Sequence, residues 1–164
     1  MTQKLYCFSR KDFNAYMDRV GWNDDTLPDN VAIISICCTE PVRTNFVHAR
    51  YDGKDDMHRY SSRNNVLNLD FDDIDGEVRH CAGGYTARNI TKEQADEAVQ
   101  FIDAHKDCDF FVHCNAGKSR SQAIIKYIRE QYPDIDWEVN PNNPCLYPNV
   151  YVSNMLKRSV REFL

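Results

Sequence analysis

The segment from His113 to Ser121, HCNAGKSRS, combines residue types that can do chemistry on an oxyanion. A cysteine is followed after five residues by an arginine, and a glycine lies between them. Apolar residues before this loop predict a buried strand over 109–112, and the pattern from Ser121 to Tyr132 predicts an amphipathic helix. A strand, a short loop and a helix N-terminus form a phosphate socket, because N–H groups and the helix dipole place positive charge at its centre.

Two side chains of this segment would act on a bound phosphate ester. Cys114 lies at the mouth of the predicted socket, where positive charge favours the thiolate, which is the nucleophilic form. Arg120 carries a planar fork that can bind two phosphate oxygens at once. The chemistry indicated is attack on the phosphorus atom, with a cysteinyl phosphate as the intermediate.

The length, composition and net charge of the chain limit the classes of protein to which it can belong. A chain of 164 residues fits one domain, which we expect to span residues 1–164. Seven cysteines without a repeating spacing favour reduced thiols over a disulfide framework. The net charge of −5 argues against broad nucleic-acid binding. No apolar run has the length of a membrane span and no signal peptide is recognisable, so we expect a cytoplasmic protein without stable membrane association.

Strand and helix patterns alternate along the chain, which predicts an α/β fold with a central, mostly parallel sheet flanked by helices. The socket then lies at the carboxyl end of a strand, where open α/β sheets place their ligands. The predicted strands are 4–8, 31–36, 66–71 and 109–112. Two predicted helices cover 11–20, after a Ser9 cap, and 121–132. A third begins at the capping box Thr91–Gln94 and has Ala95, Ala98, Val99 and Ile102 on one face. The apolar residues of a closing helix are Val152, Met155, Leu156 and Phe163. We expect a surface excursion with a short helix over 48–65, and irregular structure over 133–148.

The loop resembles the signature of the cysteine-dependent protein tyrosine phosphatase superfamily, in particular its small dual-specificity branch. That signature is His-Cys, five residues with glycine as the third, then Arg and Ser or Thr, and this chain supplies His113, Cys114, Gly117, Arg120 and Ser121. The order of the upstream strands also agrees, so the resemblance covers roughly residues 30 to 130. The final residues look like the terminal helix of small bacterial and phage-type members. The resemblance implies a phosphotyrosine protein phosphatase-like fold and no cofactor.

The resemblance also implies a role for each loop residue. Cys114 is the nucleophile, His113 supports the loop through hydrogen bonds, and Ser121 eases departure of the thiolate from the intermediate. Gly117 turns with a positive φ so that its N–H faces the phosphate. The residues that bind the substrate phosphate are Asn115, Ala116, Gly117, Lys118, Ser119 and Arg120.

The mechanism further needs a general acid, which also activates water in the second step. In the family this is an aspartate on a loop after an earlier strand. The stretch LNLDFDDID offers Asp70, Asp72, Asp73 and Asp75. Alternation leaves Asp72 and Asp73 at the strand's end, and the family's spacing from strand to acid selects Asp73, with Asp72 as the alternative.

The substrate class stays open at Lys118. A solvated lysine at the loop rim agrees with a phosphorylated protein or peptide substrate, whereas the matching lysine of phosphoinositide 3-phosphatases recognises a second phosphate. A phosphoinositide or inositol phosphate is therefore the alternative substrate. A catalytically dead phosphate-binding module is an alternative of another class, although its usual mark, loss of the Cys, the Arg or the acid, is missing here.

The other cysteines raise two further possibilities. In some lipid-directed relatives a cysteine at the strand matching 31–36 protects the nucleophile, which suggests a reversible Cys114–Cys38 disulfide under peroxide, with Cys37 as the alternative. A zinc site is suggested by the neighbours Cys37-Cys38 and by the pair His80-Cys81. However, no two cysteines have the two-residue spacing of common zinc sites. We therefore expect no metal.

Overall fold

A five-stranded parallel sheet forms the centre of the computed structural model, which describes residues 2–39, 57–81, 84, 86–140 and 147–163. Its strand order is β3-β2-β6-β1-β7, and every neighbouring pair is parallel. A separate antiparallel pair consists of β4 and β5. The strands are β1 (Gln3–Phe8), β2 (Val31–Cys37), β3 (Val66–Asp70), β4 (Val78–His80), β5 (Thr86–Arg88), β6 (Asp109–His113) and β7 (Trp137–Val139). The predicted α/β class is confirmed, and the architecture is consistent with a phosphatase-like fold.

Four helices of the described residues flank the sheet. They are α1 (Arg10–Val20), α2 (Lys92–Ala104), α3 (Arg120–Gln131) and α4 (Val150–Phe163). The Ser9 side chain caps α1 by accepting the N–H of Asp12, as expected. The capping box predicted at the start of α2 has both of its hydrogen bonds, between Thr91 and Gln94.

The core consists of two apolar layers, one on each face of the sheet, because successive strand residues point to opposite sides. On one face Ala32, Ile34 and Ile36 of β2 pack among residues of α2, α3 and α4. On the other face Val31 and Ile33 pack in the cluster that includes side chains of α1. The continuous apolar sequence of β2 therefore reflects burial on both sides.

Two expectations about the elements need correction. β7 lies within the stretch expected to be irregular, where it pairs with β1 as an edge strand; its residues are half-buried or exposed, so no apolar pattern marks it. Phe163 is 47% exposed at the last residue of α4 and belongs to no buried apolar cluster of the described residues. The short helix expected within 48–65 stays a prediction, because residues 57–65 form no helix and residues 48–56 lie outside the described ranges.

No described helix has the length and apolar character needed to cross a bilayer.

Polar contacts at one end of the core join α2 to α4. The Lys92 ammonium lies 2.9 Å from both Asp96 on its own helix and Glu162 on α4. The Ser159 hydroxyl of α4 donates to the Asp96 carboxylate. This hydrogen bond, followed by the one from Lys92, lowers the pKa of Asp96. The stabilisation from the lowered pKa is present above the ordinary Asp value and is lost as the pH falls through the folded-state pKa.

Replacing the hydroxyl tests this contact. Ser159→Ala should raise the pKa of Asp96 towards its ordinary value, because the first cause of the shift is removed. The free energy of unfolding should fall at neutral pH, and the difference from wild type should shrink in acid. NMR titration of the carboxyl and urea unfolding at several pH values measure both effects. Ser153→Ala is the control, since the Ser153 hydroxyl on the same helix has no hydrogen-bond partner among the described residues. If the pKa of Asp96 stays unchanged in Ser159→Ala, the hydrogen bond does not cause the shift.

Candidate active site

The predicted socket is the loop between β6 and α3, and the sulfur of Cys114 is its central atom. Cys114 is buried at the end of β6. Its Sγ atom accepts the backbone N–H of Gly117 at 3.2 Å and lies 3.0 Å from the Ser121 hydroxyl. The sulfur thus has two polar neighbours, one from the loop backbone and one from the start of α3. The structure thus brings Cys114, Gly117 and Ser121 together as the sequence predicted.

Cys7 contributes to the same cluster, and the sequence did not indicate it. It lies in β1, beside β6, and its thiol points to the Ser121 oxygen at 3.2 Å. The Cys7 sulfur also lies 3.8 Å from the Gly117 carbonyl oxygen, so its thiol proton has two acceptors in the site. Cys7 therefore contacts both the loop and the start of α3. The only available signal was a cysteine at an inward position of a predicted strand.

Gly117 has the backbone conformation that the socket needs. Its φ is +70°, and a Cβ atom there would lie 2.5 Å from the Ser9 nitrogen and 2.6 Å from the Phe8 carbonyl carbon. The loop is thus packed directly on the turn between β1 and α1. The N–H of Arg10 donates to the Asn115 carbonyl at 3.0 Å, which adds a second connection to that turn.

Arg120 is the first residue of α3, and its guanidinium is buried. Its Nη1 donates to the Phe71 carbonyl at 2.7 Å, just beyond the end of β3, and lies 3.9 Å from the Cys38 sulfur. The carbonyl contact fixes the orientation of the planar group, which has five N–H donors. A fixed fork beside the loop is the arrangement that bidentate phosphate binding requires.

The two candidate acids occupy different environments. Asp72 is buried, and its carboxylate accepts the N–H and hydroxyl of Thr39 and the N–H of Arg88, so it joins three chain segments. Asp73 is exposed, and its Oδ1 accepts the hydroxyl of Ser119 and the amide N–H of Asn149, both at 2.7 Å. Asp73 therefore lies at the rim of the loop. Of the two carboxylates, Asp73 is the exposed one and the one that contacts the loop.

His113 holds the base of the loop through a series of hydrogen bonds. Its Nε2 lies 2.7 Å from the Ser35 hydroxyl, which is 2.6 Å from Nδ1 of His58. The His113 ring also stacks on Phe13 at 4.4 Å. These contacts agree with a supporting role. The sequence did not indicate Ser35, which lies within an apolar strand. It did not indicate His58 either, because nothing distinguishes this residue from the polar residues around it.

The remaining predicted loop residues lie along the rim and the wall of the socket. Asn115 and Gly117 are buried, Ala116 and Ser119 are half-buried, and Lys118 is exposed.

The two cysteines proposed as disulfide partners of the nucleophile have different neighbours. Cys38 lies beside Arg120, whereas Cys37 contacts His58. Cys114 itself is a free thiol in this structure. The disulfide with Cys38, or with Cys37 as the alternative, therefore stays a prediction.

A scan against protein-family models finds no match to this chain, and a search of curated proteins finds no similar sequence.

A matched pair of glycine substitutions tests the close approach of the loop. Gly21 ends α1 with φ +74°, and beyond its chain neighbours no atom of the described ranges lies within 4 Å of the position that a Cβ atom would occupy there. We expect Gly21→Ala to cost about 1–2 kcal/mol, from backbone strain alone. Gly117→Ala should cost clearly more, because its Cβ also meets backbone atoms that cannot move aside. Urea unfolding of both variants measures the difference, and equal losses would contradict the packing of the loop on the β1–α1 turn.

Proposed function

We propose that the protein is a phosphomonoester hydrolase of the tyrosine or dual-specificity phosphatase type, acting through a cysteinyl phosphate without a metal in the reaction. The observation that carries this proposal is the Cys114 sulfur, which receives the Gly117 N–H and faces the Ser121 hydroxyl at the N-terminus of α3. The resemblance of the loop to the phosphatase signature supports the same assignment. The proposed substrate is phosphotyrosine in proteins, with phosphoserine and phosphothreonine as further substrates, and the proposed location is cytoplasmic.

The first step is transfer of the phosphoryl group to sulfur. The Cys114 thiolate attacks phosphorus in line with the departing oxygen, while Arg120 and the loop N–H groups bind the remaining oxygens. A bond forms between sulfur and phosphorus, and the ester bond breaks. The leaving oxygen needs a proton, and Asp73 at the rim is the group placed to donate it.

The second step hydrolyses the intermediate. Asp73, now ionised, takes a proton from water, which attacks phosphorus and releases inorganic phosphate. The departing Cys114 sulfur regains its negative charge, and the Ser121 hydroxyl at 3.0 Å stabilises that charge as it develops. When the Cys7 thiol donates to the Ser121 oxygen, the hydroxyl proton of Ser121 is left to point at the Cys114 sulfur.

Phosphate release from phosphotyrosine peptides tests the mechanism. Cys114→Ser should lower kcat by more than about 10³-fold, because the nucleophile is lost. Asp73→Asn should lower it by roughly 10²- to 10⁴-fold, because no proton reaches the leaving group. Cys81→Ser and Asp75→Asn are the matched controls and should keep wild-type rates.

Other results assign the roles differently. Turnover that survives Cys114→Ser would refute the mechanism. Full activity in Asp73→Asn, with loss in a folded Asp72→Asn variant, would move the acid by one residue. Binding of phosphopeptide by wild type without any turnover would favour a phosphate-binding module.

A phosphoinositide or inositol phosphate is the second candidate substrate, because the exposed Lys118 lies on the loop itself. An ammonium at that position can contact a second phosphate on the same molecule. Lys118→Ala should then reduce kcat/KM for a multiply phosphorylated inositide while leaving that for a phosphotyrosine peptide near the wild-type value. An equal effect on both substrates would remove the argument for the lipid class.

A further inference from the structure

A second cluster of reactive side chains lies where β2 and β3 end, separate from the loop that contains Cys114. It consists of Cys37, His58 and Asp70. Cys37 and Asp70 are register partners on adjacent parallel strands, so their side chains lie next to each other on one face of the sheet. His58 covers both, with Nδ1 at 3.4 Å from the Cys37 sulfur and Nε2 at 2.7 Å from Asp70 Oδ1.

We propose that Cys37, His58 and Asp70 bind a zinc ion. One donor atom from each residue can be chosen such that all three lie within 4.8 Å of one another. A tetrahedral zinc ion with bonds of about 2.3 Å to sulfur and 2.0–2.1 Å to nitrogen separates those two ligands by about 3.5 Å. The Cys37 sulfur and the His58 Nδ1 already have this separation.

The types of donor select zinc over other common divalent ions. Calcium and magnesium take oxygen ligands and have little affinity for a thiolate, whereas zinc binds sulfur, imidazole nitrogen and carboxylate oxygen together. The burial of the three residues is graded: Cys37 is buried, His58 is half-buried and Asp70 is exposed. The ion can therefore enter from the Asp70 side, where a water molecule would be the fourth ligand.

Binding rearranges the hydrogen bonds of His58, and the Ser35 hydroxyl and the Asp70 carboxylate both turn away from their present positions on the ring. The Cys37 thiol loses its proton to solvent, and the thiolate forms a bond with the ion. The lone pair of His58 Nδ1 forms the second bond in place of the hydrogen bond with Ser35. The exposed carboxylate of Asp70 turns from Nε2 towards the ion and supplies the third ligand.

The site contacts the catalytic loop through one residue. The Ser35 hydroxyl lies between His58 Nδ1 and His113 Nε2, at 2.6 and 2.7 Å. Metal binding to His58 would remove its hydrogen bond with the Ser35 hydroxyl, whose remaining ring partner would be His113. The metal site does not depend on the proposed hydrolase activity, and its binding can be measured in a variant that lacks the Cys114 thiol.

Cobalt is the spectroscopic probe for the test, because a thiolate bound to Co²⁺ gives an intense charge-transfer band in the near ultraviolet. The experiment uses the reduced full-length chain with Cys114→Ser, which prevents binding to the loop thiol. We expect the band to saturate at one Co²⁺ per chain and to disappear when Zn²⁺ is added. The added substitution Cys37→Ser should abolish it, and His58→Ala should weaken binding at least roughly tenfold.

Two neighbouring cysteines are the controls. Cys38→Ser removes the adjacent thiol of the same strand end, and Cys81→Ser removes the thiol beside His80; both variants should keep the band. The proposal is overturned if the Cys114→Ser protein gives no thiolate band, or if the band persists in Cys37→Ser. In that case the three residues form a hydrogen-bonded group only. Circular dichroism of each variant shows whether it is folded, and absence of the band from the Cys114→Ser protein overturns the proposal without any further substitution.

Discussion

The close approach of the Gly117 backbone to the turn between β1 and α1 is the contact on which the site depends. Only a residue without a side chain can lie there, since a Cβ atom would be 2.5 Å from the Ser9 nitrogen. This contact gives the loop its curvature and directs the Gly117 N–H to the Cys114 sulfur. The hydrogen bond that Cys114 receives from the loop backbone depends on that position.

The strand order explains why the loop can be held from several sides. β6 lies between β1 and β2, so the loop that follows it meets residues from both neighbours. Cys7 of β1 reaches Ser121, and Ser35 of β2 reaches His113. Arg120 reaches past β2 to the Phe71 carbonyl beyond β3. The loop between β6 and α3 is therefore supported by strands that are distant from it in sequence.

Three aspartates at the end of β3 and just beyond it lie in different environments. Asp72 points inward and satisfies three donors of the surrounding chain. Asp73, the next residue, points to the rim of the loop. Asp70 points to the face of the sheet that carries His58 and Cys37. Three acids within four residues thus have three environments, which their composition alone does not distinguish.

Local patterns predicted much of the fold, because caps, apolar runs and the loop signature are contiguous in sequence. The capping box at Thr91, the strand before Cys114 and the helix after it were all found in this way. β7 was not, since an exposed edge strand has no apolar pattern. Cys7, Ser35 and His58 could not be found either, because their roles arise from contacts across the sheet between residues far apart in the chain.

The central claim is that the Cys114 sulfur carries the phosphoryl group during turnover. The most direct measurement is rapid quenching of wild-type protein during reaction with a ³²P-labelled phosphotyrosine peptide, followed by mapping of the labelled residue. We expect a transient phosphoryl adduct on the peptide that contains Cys114, formed before inorganic phosphate is released. Turnover without such an adduct, or with the label on another residue, would contradict the claim.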